Sequence, residues 1–183
     1  MSENTAAADI LRFWFEDTPE ASWWKVDPAF DALLRKRFLA LLHQAAAGEL
    51  HAWRDTARGR LAEVIVLDQF PRNIHRGTPL CFAHDPMALA LSQEAVRSGA
   101  LAALTPVQCS FLLMPHMHSE SAAIHALADP LYRDHAPPGN HEFELKHKAI
   151  VDRFGRYPHR NAILGREPTP EETEFLQQPG SSF

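Results

Sequence analysis

Fourteen residues, Arg153 to Arg166 (RFGRYPHRNAILGR), hold four arginines, a histidine and an asparagine on a backbone broken by two glycines and a proline. From Lys146 to Arg166 six Lys or Arg face one acid, Asp152, a local charge of +5 in a chain whose net charge is −5. Guanidinium groups match carboxylates and phosphates in two-bond forks, and a Gly- and Pro-broken stretch suits a loop better than a core. The chemistry expected here is capture of a compact anion. The competing reading lays the same arginines over the core as surface side chains, paired with some of the 23 acids. His159 titrates near neutral pH, which makes it the candidate general acid or base of the stretch. The surrounding arginines should depress its pKa and keep it neutral.

A second, shorter stretch echoes the first. Phe70-Pro71-Arg72-Asn73-Ile74 resembles Tyr157-Pro158-His159-Arg160-Asn161-Ala162-Ile163, each after a helical segment. Proline is expected to end the preceding helix and leave Arg-Asn in a turn, the asparagine closing it and the arginine projecting. Two such turns face to face would make one site lined by Arg72, Asn73, Arg156, His159, Arg160 and Asn161. Asp68 continues the apolar stripe of Leu61 and Ile65, so its carboxylate is expected inside, where an unpaired charge costs several kcal/mol. Asp68 is therefore predicted to pair with an arginine of a basic turn, and with Glu120 to orient the arginines. His118 stands beside them as a further orienting group. His147 lies on the stripe of Phe143, Ile150 and Phe154 and reads as a hydrogen-bonded core histidine.

Other chemistries fit poorly. On one helix His116 and Glu120 share a face while His118 points away, and no H-E-x-x-H, C-x-x-C or aspartate-rich calcium loop occurs, so no metal is expected. Ser119 beside His118 is adjacency without a triad, and neither cysteine has a base next to it in sequence. The chain carries neither a Walker A loop nor a Rossmann fingerprint, and no cofactor is expected. A net charge of −5 argues against nucleic acid and anionic membranes. No apolar run approaches the roughly 20 residues of a membrane span. The N-terminal MSENTAAAD does not read as a signal peptide, and two cysteines form no disulfide framework, so a cytoplasmic location is expected. The partner expected is a small anionic ligand; a non-catalytic module binding a peptide or protein partner is the alternative.

The elements that must position these groups are helical. Asp27-Pro28, Asp85-Pro86, Thr105-Pro106 and Thr169-Pro170 each read as an N-cap acceptor followed by proline at the first helical position. Gln108 and Glu172 would complete capping boxes with Thr105 and Thr169. Helix-period apolar residues follow, as at Phe30, Leu33, Leu34, Phe38, Leu41 and Leu42. Further helices are predicted at 9–15, 57–70, 86–98, 106–128 with a break at Pro115, 142–154 and 170–177. The aromatics Phe13, Trp14, Phe15, Trp23 and Trp24 are expected to anchor the N-terminal helix. Asp129 to His141, with three prolines and a glycine, is expected to be a surface excursion. The class is all-α, one domain over residues 1–183 with about seven or eight helices by this punctuation.

Phe13-Trp14-Phe15, the run Arg58 to Pro79 (RGRLAEVIVLDQFPRNIHRGTP), His118-Ser119-Glu120 and Arg153 to Arg166 together resemble the bacterial domain of unknown function (DUF) 924 family. The resemblance spans nearly the whole chain. It implies an all-helical, tetratricopeptide-like arrangement of antiparallel helices, and it supplies motif positions without an activity.

Overall fold

The computed structural model describes residues 5–182. Among the described residues nine α-helices follow one another: α1 Thr5–Arg12, α2 Pro28–Ala46, α3 Ala57–Ile74, α4 Asp85–Arg97, α5 Pro106–Met117, α6 Ala122–His135, α7 Pro138–Phe154, α8 Asn161–Leu164 and α9 Pro170–Phe175. A π-helical turn (Phe13–Asp17) and several 3-10 turns join them, and the described residues contain no strand. The class is all-α.

Helix α3 is the axis. Thirteen of its residues are buried, including the unbroken run from Leu61 to Pro71, and α1, α2, α4 and α5 all pack on it. A helix that is covered on every side must satisfy each of its polar groups internally. Its entry is fixed by Thr56, whose hydroxyl accepts from the Gly59 amide, and by Gly59 itself. A Cβ at Gly59 would lie 1.9 Å from the Trp53 carbonyl oxygen, so only glycine lets the preceding turn close on the helix. The N-terminal aromatics pack as expected: Phe13, Trp14, Phe38, Phe70 and Phe111 form one buried cluster. Trp24 stays largely exposed at its edge.

Three of the four predicted cap sites behave as caps. Asp27 accepts from the Ala29 and Phe30 amides, and Thr105 and Thr169 form full capping boxes. Asp85 does not cap. It is the first residue of α4, its N-cap is His84, and its carboxylate is engaged elsewhere.

The prolines correct the sequence reading. Pro71, Pro115 and Pro130 all lie inside continuous helices, so α3 runs on to Ile74 and Arg72 and Asn73 are helical. Pro71 and Pro115 are buried, and the helix–helix packing around them offsets the one lost backbone hydrogen bond. The break placed at Pro115 comes instead at His118–Ser121. The excursion expected over Asp129 to His141 is two helices joined through Ala136 and Pro137. Ala128 and Tyr132, fully buried in α6, hold that helix through Pro130.

Candidate functional site

The last turn of α3, the first residue of α4, the end of α5 and the turn before α8 meet at one place. Asp68 is 1% exposed and accepts from three groups: His118 Nδ1 at 2.8 Å, Gln69 Nε2 at 2.5 Å and Arg72 Nη2 at 3.3 Å. Arg72 Nη2 also donates to Asp85 Oδ1 at 2.9 Å. Arg160 reaches the other oxygen of the same carboxylate, Nη1 to Oδ2 at 3.4 Å, and donates from Nη2 to the His118 carbonyl at 3.0 Å. Both guanidiniums lie over the Phe82 ring, at 5.5 and 4.5 Å, and that of Arg160 also lies 4.7 Å from the centre of the Tyr157 ring. Arg72 and Arg160, from turns 88 positions apart in the numbering, thus share Asp85.

The other predicted residues are distributed differently. Asn73 points away from the pair and donates to Asp31 at 2.8 Å, the acid that also takes a two-bond fork from Arg76. Arg156 forks onto Glu172 at 2.6 and 2.8 Å, and Asn161 donates to the same carboxylate. Glu120 meets the arginine pair indirectly. It takes a fork from Arg166 at 2.7 and 2.9 Å and accepts from the Tyr157 amide at 2.7 Å, while Arg166 also donates to the Tyr157 carbonyl. Glu120 and Arg166 thereby clamp the turn that presents Arg160. The His159 ring packs on Tyr157 with centroids 5.5 Å apart. His147 is buried and donates through Nδ1 to the Phe143 carbonyl at 2.8 Å, in keeping with a core histidine, although Phe143 itself is exposed. His116 sits on Ser92, His118 on Asp68 and Glu120 on Arg166. Among the described residues no group of three or more His, Cys, Asp or Glu is placed to hold a metal ion.

Electrostatics set the protonation states. Burial would raise the Asp68 carboxyl, but His118 and Arg72 against it hold it well below the usual carboxylate range. Burial, then the Arg72 charge, lowers His118, so near neutral pH it is neutral, its Nδ1–H donating to Asp68 and its Nε2 left as a lone-pair acceptor. Burial first and Arg160 second push His159 down to about 4. The arginines act on it as expected, with desolvation the larger cause. Burial and the neighbouring Arg72 also lower Arg160, though a guanidinium stays charged at any working pH.

Several groups of the site gave no sequence signal. Asp85 read as a cap, and Phe82, Tyr157 and Arg166 carry no spacing that points to one another. Behind Tyr157 lies a fully buried pair, His125 Nδ1 to Glu144 Oε1 at 2.6 Å, with His125 Nε2 within reach of the Ser119 carbonyl and the Tyr157 hydroxyl. It ties α6 to α7 beneath the site.

The model of a family described as bacterial protein of unknown function (DUF924) matches residues 10–180. The chain belongs to the DUF924 family. A solved structure similar to this DUF924 chain is that of the protein of unknown function ATU0120 from Agrobacterium tumefaciens, at 39% identity and a TM-score of 0.89. The match covers 94% of this chain and 97% of that one. No curated protein matches this DUF924 chain.

Proposed function

We propose that the protein binds a small anionic ligand between Arg72 and Arg160, beside a general base formed by His118 and Asp68. The observation that carries this is a contrast among its own arginines. Arg54, Arg76, Arg156 and Arg166 each form a two-bond fork with a carboxylate, at 2.6 to 2.9 Å. Arg72 and Arg160 form no such fork among the described residues, and the buried Nε of each has no hydrogen-bond partner there. Unmet buried donors on two adjacent cations favour an acceptor from outside. Access is through the partly open faces of Arg72, Asp85 and His118, 20, 18 and 16% exposed in their side chains.

Asp68 holds His118 as a carboxylate holds the imidazole of a general base, fixing the tautomer and leaving Nε2 to take a proton. That role suits His118 better than His159, whose ring packs on Tyr157. A cytoplasmic location suits the two free cysteines, Cys81 and Cys109. The alternative is a tetratricopeptide-like module that binds a peptide or protein partner. It draws on the exposed Leu127 and Phe143, on α6 and α7, and the unmet donors at the arginines favour the first reading.

A thermal-shift series with small carboxylates and phosphates, at constant ionic strength, tests it. At about 100 times its Kd a ligand should stabilise the native state by ~2.7 kcal/mol. Arg160→Gln should remove that gain and keep the helical circular dichroism. An Arg160→Gln protein stabilised as much as the parent would remove the site from this place.

A further inference from the structure

Resting on that reading of the arginine pair, we infer that Asp85 is a tethered stand-in for the ligand, and that the ligand group it stands in for is a monocarboxylate. Four observations lead there. The Asp85 carboxylate places one oxygen toward each arginine, 2.9 Å from Arg72 and 3.4 Å from Arg160, the way a bound carboxylate would bridge them. Its hold is loose compared with the forks elsewhere in the molecule, and Arg160, 8% exposed in its side chain, keeps a buried Nε without a partner among the described residues. Asp85 also has somewhere else to go. It is the first residue of α4, a 13-residue helix whose N-cap His84 makes no side-chain cap hydrogen bond. Pro86 supplies no amide there, but the positive end of the helix still favours a nearby carboxylate.

The charge balance selects the ligand class. Arg72 and Arg160 are offset by Asp68 and Asp85, while His118 and His159 are neutral near pH 7. When Asp85 swings to the helix end, Arg72, Arg160 and Asp68 leave one positive charge. A monocarboxylate, seated where it also meets the Nε–H groups that Asp85 leaves without a partner among the described residues, restores neutrality. A dianion would overshoot it by one charge in a site that is largely closed to water, where such an excess is poorly screened.

The test is the dissociation constant of acetate, read from the concentration dependence of Tm at constant ionic strength, with sulfate as the dianionic comparison. Asp85→Asn keeps the shape and removes the competing charge; Asp85→Ser removes the charge with a smaller side chain and serves if the amide variant folds poorly. Either variant should bind acetate about tenfold more tightly than the parent, a change of one decade in Kd, and acetate should outbind sulfate in both. Acetate affinity unchanged or weaker in both variants would mean that Asp85 aligns the arginines instead of occupying their ligand's place. Tighter binding of sulfate than acetate would overturn the charge argument. Acetate binding in the parent that Arg160→Gln leaves intact would instead remove the arginine site itself, and this inference with it.

Discussion

Replacing Asp68 with alanine lowers the free energy of unfolding by about 3–5 kcal/mol, because it strands the half-buried Arg72 and two further donors. The carboxylate is 1% exposed on the most enclosed helix of the protein and takes hydrogen bonds from His118, Gln69 and Arg72. Without it Arg72 keeps the Asp85 that it shares with Arg160, and the like charge of Arg160 beside it is less well offset. Asp68→Asn keeps the volume but loses the charge, so most of the loss should remain. Guanidinium unfolding at pH 7 measures both. A change within about 1 kcal/mol for the alanine variant would show that the network carries little of the fold's stability, as exposed ion pairs do.

Acid should unfold this protein well before its carboxylates are titrated. Three histidines, His116 and His147 buried and His159 half-buried, are held neutral: loss of solvent brings His116 and His159 down to about 4 and His147 to about 3. The sign follows from the proton balance. Between the ordinary histidine value of 6.5 and these folded values the unfolded chain binds more protons, so stability is full above about 6.5 and falls as the pH drops. Inside that window each histidine contributes about 1.4 kcal/mol per pH unit, so the three together can remove ~4 kcal/mol per unit. Glu144 works the other way, since burial raises its pKa and its folded form gains from acid just above its ordinary range. Asp68 adds its loss only below the ordinary carboxylate range. Unfolding curves at pH 7.0, 5.5 and 4.5 should show a steep decline, eased in a His147→Phe variant. Stability that is flat or rising from pH 7 to 5 would contradict the assignment of these histidines as neutral.

Much of the helix order was readable from local chemistry. Asp27, Thr56, Thr105 and Thr169 cap helices because a side-chain acceptor beside the first turn meets a need of the backbone a few residues away. The prolines misled for the opposite reason. Whether Pro71 ends a helix or rides within it depends on four other helices packed around α3, which no local pattern records. The site divides in the same way. The echo between the two Arg-Asn stretches marked Arg72 and Arg160, and an acid on an apolar stripe marked Asp68. Asn73, Arg156 and Asn161 carried the same pattern yet took partners outside that site, Asp31 and Glu172. Asp85 hid behind a cap signature, since Asp-Pro before a helix reads alike whether the carboxylate turns to its own amides or to a distant arginine pair.

The buried Nε–H groups of Arg72 and Arg160 have no acceptor among the described residues, and in our proposal a ligand supplies it. The most direct measurement is the proton–nitrogen spectrum of the arginine Nε–H groups during an acetate titration at constant ionic strength. The resonances of Arg72 and Arg160, identified by their loss in Arg72→Lys and Arg160→Lys, should move together along one saturating curve. Those of Arg54, Arg76 and Arg156, whose Nε already donates to a carboxylate, should hold still. Resonances of Arg72 and Arg160 that stay fixed, or acetate shifts confined to other arginines, would mean that no ligand sits on this arginine pair.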